Sequence, residues 1–153
     1  MDCKSCEAGE EIIARAGELI ASKTGFIGDG MEGHCVLALI DEDGYPSAST
    51  VTISKADGIK WITFLDGAGS SKEKRIAKCN RGSVCLSSSE YNVSLVGTLE
   101  VLCDPETKKE MWQEPMRAYF SGPEDPDYWV LRFNTERYSL YFADNDTEAR
   151  GTL

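Results

Sequence analysis

The segment Asn92–Cys103, NVSLVGTLEVLC, constrains the fold most. Val93, Leu95, Leu99, Val101 and Cys103 recur at every second position, with Gly97 in register. Only an extended chain puts such positions on one face. The segment is therefore predicted as a long strand with one apolar side, which needs a sheet and a core to cover it. It stops abruptly. Asp104-Pro105-Glu106 offers a capping acid, a proline at the first helical position and an acid in the first turn. That order predicts a helix running through Trp112.

The rest of the chain reads in the same two periods. Ile12, Ile13, Ala16, Leu19 and Ile20 share one face of a helix over Glu7–Ser22, preceded by a loose tail at residues 1–6. Strands are predicted at His34–Ile40, Ser47–Ser54, Ile59–Leu65 and Ser83–Ser87. Two more follow near Tyr128–Asn134 and Tyr138–Ala143, joined by Thr135-Glu136. A helix is expected over Ser70–Cys79. The turns Asp41–Gly44 and Ala56–Gly58 are too short for crossovers, so the sheet should be largely antiparallel. About seven strands with three helices are most simply housed in one mainly β domain, a closed or nearly closed barrel with peripheral helices. Its 153 residues suffice for a real core, and no repeat or long linker divides them.

Composition narrows the partners. The formal net charge is -10, from 26 acidic against 16 basic side chains. This argues against a nucleic-acid surface. No segment approaches a membrane span, and the polar, acidic start, MDCKSCEAGEE, is unlike a signal peptide. The expected compartment is the cytoplasm. Cys35, Cys79, Cys85 and Cys103 lie in apolar segments and read as reduced core residues. Cys3 and Cys6 have the spacing of half a zinc knuckle or a redox pair. No second such pair completes a four-cysteine site, and Glu7, Glu10 and Glu11 would raise nearby thiol pKa values. They are read as part of the tail.

The stretch Thr63–Lys72, TFLDGAGSSK, carries the clearest chemistry. A strand runs into a glycine loop, and Ser70-Ser71-Lys72 opens a helix. Glycines expose backbone N–H groups, and a helix start adds unpaired donors and a favourable dipole. With two hydroxyls and an ammonium, this is a pocket for a terminal phosphate. The competing reading is an ordinary strand–helix loop with a solvated lysine.

The turn DEDGYPSAST, the Ser-Ser-Lys helix start, VSLVGTLEVLCDPETKKEMW and DPDYWVLRF follow in order over His34–Phe142. Together they resemble the pyridoxamine-phosphate-oxidase-like flavoproteins, most closely the general stress protein 26 branch. The resemblance implies a split β-barrel, usually a homodimer, with flavin mononucleotide (FMN) in clefts at the subunit interface. It implies phosphate contacts from Ser49 and Thr50 on the second strand and from Ser70, Ser71 and Lys72. One of the two serines is expected to cap the helix and the other to bind. Thr63 and Phe64 would lie near the flavin ring, and Asn92 and Ser94 near the ring or ribityl chain. Relatives typically carry a basic residue three positions after the proline of the second strand. Here Pro46 is followed by Ser49. The glycine loop is also longer and contains Asp66.

The implied activity is a two-electron redox step with NAD(P)H as a candidate donor, in a flavin-reductase-like oxidoreductase. Arg15, Arg75, Arg81, Arg117, Arg132, Arg137 and Arg150 form no recognisable clamp for a substrate phosphate, which disfavours vitamin B6 oxidation. The alternatives are a non-enzymatic flavin or haem binder, with His34 or a cysteine as axial ligand, and a cofactor-free dimeric barrel. His34 is the single histidine, so a triad or a histidine-based metal cluster is not expected. Trp112, Tyr119, Trp129, Tyr138 and Tyr141 read as core or dimer contacts.

Overall fold

The computed structural model describes residues 3–24 and 33–153. Seven strands form one antiparallel sheet in the order β3-β2-β1-β4-β5-β6-β7, and pairing of β3 with β6 closes the first six into a barrel. They are β1 (His34–Ile40), β2 (Pro46–Asp57), β3 (Trp61–Gly67), β4 (Arg81–Ser87), β5 (Tyr91–Leu102), β6 (Tyr128–Phe142) and β7 (Thr147–Thr152). The helices are α1 (Cys3–Ser22), α2 (Ser71–Lys78) and α3 (Pro105–Met111), and a short 3-10 turn spans Glu114–Ala118. The expected mainly β split barrel with peripheral helices is the observed architecture.

Alternation decides which side of each strand is covered. Cys35, Leu37 and Leu39 of β1 point into the barrel, while His34, Val36, Ala38 and Ile40 face out. On β5, Val93, Leu95 and Leu99 are buried as predicted. They meet Ile53, Ile62, Phe64, Val84, Leu131 and Phe133 in one core, which Ile12, Ala16 and Ile20 of α1 cover. Each of the larger side chains among them contributes about 1.5–3 kcal/mol when fully buried. Met111, Met116, Tyr128 and Val130 build a second cluster beneath α3 and the 3-10 turn. Trp112 packs edge-on against Tyr128 at 5.2 Å. Burial pushes the Tyr128 phenol up to about 12.

Four sequence expectations are corrected. The two last predicted strands are one, β6, which runs through Thr135-Glu136 by a bulge opposite Val96-Gly97. Its first half pairs with β3 and its second with β7. The seventh strand is therefore β7, a half-exposed polar edge strand that hydrophobic periodicity does not mark. Helix α1 begins at Cys3, inside the expected tail. Of the four cysteines read as core, only Cys35 is buried; Cys79 and Cys85 are half-buried and Cys103 is exposed, just beyond the end of β5. α3 ends at Met111, with Trp112 as its C-cap. No described helix is long and apolar enough to cross a membrane.

Candidate functional site

The barrel is open at one end. All seven residues of Pro46–Thr52 pair with β1. β3 meets β2 only from Ile53 opposite Phe64 onward. Beyond that point Leu65, Asp66 and Gly67 continue alongside β6. The first half of β2 thus overhangs with one edge unpaired by β3. Helix α2 closes over the same end: it packs on β1 and β5 through buried Ile76, and Arg75 reaches Glu42 in the β1–β2 turn at 3.4 Å.

The loop into α2 is tightly specified. Gly69 adopts φ +78, which a side chain would oppose. The Ala68 N–H donates to the Asp127 carbonyl at 2.9 Å and the Ser70 N–H to the Gly67 carbonyl at 3.1 Å. Ser70 is the N-cap: its hydroxyl oxygen accepts the Glu73 N–H at 3.2 Å. The same hydroxyl donates to the carboxylate of Asp66, which is buried. Gly69 N–H donates to the Glu73 carboxylate at 2.7 Å. Ser70 caps the helix, and Ser71 is the exposed serine of the first turn. Half-buried Lys72 makes no ion pair among the described residues.

The predicted residues fall into three groups. Ser49, Ser70, Ser71 and Lys72 belong to the open end. Ser49 lies opposite inward-facing Leu37, yet it is exposed because β3 does not cover it. Its neighbour Thr50 projects to the other face, opposite Val36. From there one row runs across the outer surface: Thr50, Val36, Cys85, Ser94, Ser139 and Arg150 are successive cross-strand partners. Thr50, Ser94 and Asn92, on the adjacent row, form the second group. The Cys85 thiol donates to Asn92 Oδ1 at 3.6 Å. Thr63 and Phe64 form the third, inside the protein. Phe64 is a core residue, and the buried Thr63 hydroxyl accepts the Lys55 N–H at 3.1 Å.

The outer face also carries three of the arginines in which the sequence shows no clamp, Arg81, Arg137 and Arg150. Arg137 pairs in register with Val96 and Thr152, one pleat along from Ser139 and Arg150. Arg137 and Arg150 line one cleft of about 480 Å³ together with Ser94 and Ser139. Arg137 and Arg81 line a neighbouring cleft of about 650 Å³. None of these three arginines makes an ion pair among the described residues. A chain with a net charge of -10 thus keeps a basic strip on this sheet. Tyr141 lies on the same face, and its hydroxyl donates to Asp146 Oδ1 at 3.3 Å. Desolvation first, then Asp146 and Glu148, raise its pKa. Among the described residues, no group of three or more His, Cys, Asp or Glu side chains is placed to hold a metal ion.

A family model described as pyridoxamine 5'-phosphate oxidase matches residues 31–142. No curated protein matches the chain. Among solved structures, the chain is similar to a Clostridium acetobutylicum protein related to general stress protein 26. That pair shares 23% identity at TM-score 0.77, over 94% of this chain and 96% of that one. General stress protein 26 from Bacillus anthracis gives 18% identity and TM-score 0.68, over 91% and 98%. A pyridoxamine 5'-phosphate oxidase-related, FMN binding protein from Nostoc punctiforme gives 11% and 0.62, over 100% and 99%. At such identities these structures speak for the fold. The matched family model covers most of the chain and every predicted site residue, and by it the chain belongs to the pyridoxamine 5'-phosphate oxidase family.

Proposed function

We propose that this protein binds FMN between two copies of the chain and serves as a flavin-dependent oxidoreductase. The observation that carries this reading is the open barrel end. There a stretch of β2 bearing Ser49, paired with β1 but left uncovered by β3, lies at the same end as a helix start that offers Ser71, Lys72 and their N–H groups. Hydroxyls, helix N–H groups and one ammonium suit a terminal phosphate. The family assignment and the Nostoc punctiforme relative, described as FMN binding, support the same ligand.

Each group of residues then has a task. Lys72, which makes no ion pair among the described residues, places a cation against the phosphate. Ser71 and Ser49 add hydroxyl donors. Ser70 does not bind; it holds the helix start in place through its bonds to Glu73 and Asp66. Thr63 and Phe64 support β3 from within and are not ligand contacts through their side chains. The outer face with Thr50, Asn92 and Ser94 presents polar groups, which a second copy would cover in a homodimer. The cofactor, when bound, supplies two-electron chemistry, for which NAD(P)H is the proposed donor. The protein supplies position and electrostatics.

The test is direct. The protein is purified without added cofactor, its visible spectrum is taken, and FMN is titrated. Flavin bands or micromolar binding are expected, and Lys72→Ala should weaken FMN by about tenfold or more, through loss of a charge-assisted contact. A colourless protein that ignores FMN into the high micromolar range refutes the reading.

A further inference from the structure

We infer that Glu73 determines how far this site prefers a phosphate-bearing flavin over one ending in a hydroxyl, by competing with the phosphate for donors at the start of α2. The inference rests on the flavin reading above and deepens it.

Three observations lead there. First, the Glu73 carboxylate already accepts the Gly69 N–H at 2.7 Å. Second, Ser70 spends its hydroxyl proton on Asp66, a carboxylate buried under the same loop. Two donors that the sequence offers to an anion are thus satisfied by the chain's own acids. Third, the local charge is unfavourable. Lys72 is the cation of the seat, against Asp66 and Glu73. Arg75, the nearest arginine on α2, is engaged by Glu42 at 3.4 Å. Ser49 brings a hydroxyl and no charge.

The consequence follows from electrostatics at short range. A phosphate dianion beside Lys72 either displaces Glu73 from Gly69 or lies next to an acid it repels. Either way, the phosphate gains little over the terminal hydroxyl of riboflavin. Glu73→Gln removes the charge yet retains an oxygen that can accept the Gly69 N–H, and Gln suits this capping position as Glu does. Its fold should survive. Glu73→Ala frees the donor altogether.

FMN and riboflavin are titrated by flavin fluorescence into the wild type, Glu73→Gln and Glu73→Ala. In the wild type, FMN should bind no more than about tenfold tighter than riboflavin. Glu73→Gln should tighten FMN by about tenfold and leave riboflavin within about twofold of the wild type, because only the phosphate meets the removed charge. Riboflavin controls for general effects of the substitution on α2. If the wild type binds FMN and neither variant changes its preference over riboflavin, the role given to Glu73 is wrong and the flavin reading stands. If no form binds either flavin, the flavin reading itself fails and Glu73 has no such role.

Discussion

Substituting Gly97 by alanine would test whether the β5–β6 bulge is as rigid as the geometry requires. Gly97 sits opposite Thr135, where Glu136 is the extra residue of β6. A Cβ there would lie 1.9 Å from the Asn134 carbonyl oxygen, 2.9 Å from its carbon and 3.1 Å from the Glu136 nitrogen. Non-bonded carbon contacts settle near about 3.5 Å. All three obstacles are main chain, so no rotamer change relieves them. Overpacking costs about 1–3 kcal/mol, and the immovable neighbours put this case near the upper end, about 3 kcal/mol. For a domain of this size that lowers the melting temperature by about 6–12 °C. The assay is thermal unfolding followed by far-ultraviolet circular dichroism. Gly9→Ala is the control: a Cβ there meets nothing within 4 Å. Gly9 is helical. Its alanine should therefore stabilise by about 0.5–1 kcal/mol. A Gly97→Ala protein melting within about 2 °C of the wild type would refute the argument.

Two further outcomes are expected. Burial pushes the Cys35 thiol up to about 12, whereas Cys103 is exposed; iodoacetamide at mildly alkaline pH should label Cys103 in the native protein and reach Cys35 only after denaturation, as read by peptide mass mapping. Arg15 holds the Asp144 carboxyl below its usual range through a paired contact at 2.7 Å. A folded-state pKa below the unfolded one gives stability that is present above about pH 4 and lost as pH falls through the folded value. Urea unfolding of Asp144→Asn against the wild type should therefore show a small difference near neutrality that vanishes in acid, and a difference that grows in acid would contradict the pairing.

The strands with one apolar face were legible because alternation is local. β1 has its predicted ends, and β5 differs by a residue at each end. β7 was not legible, since Thr147–Thr152 is half-exposed throughout and needs no apolar side. Its hairpin did leave a signal, Asn145-Asp146, with Asp146 at φ 47. The loop into α2 was read as a candidate anion pocket, but the Gly69 N–H bond to the Glu73 carboxylate was missed. Ser70-x-x-Glu73 has the spacing of a capping box, and that pattern was available. The basic strip was beyond sequence reasoning for a different reason. Arg81, Arg137 and Arg150 come from three strands, and only the registers of β5, β6 and β7 bring them to one face.

The barrel's closure also bears on how the chain folds. Neighbouring hairpins such as β1–β2 and β6–β7 join residues close in sequence. The β3–β6 seam joins residues more than sixty positions apart. Bringing such distant segments together costs chain entropy before any contact returns it, which slows folding. The seam should form after the local hairpins, so that the edges of β3 and β6 are the last to be paired. A substitution that weakens this seam would thus prolong the stage at which two molecules can pair edge to edge, and aggregation during synthesis would register the damage before any loss of native structure does.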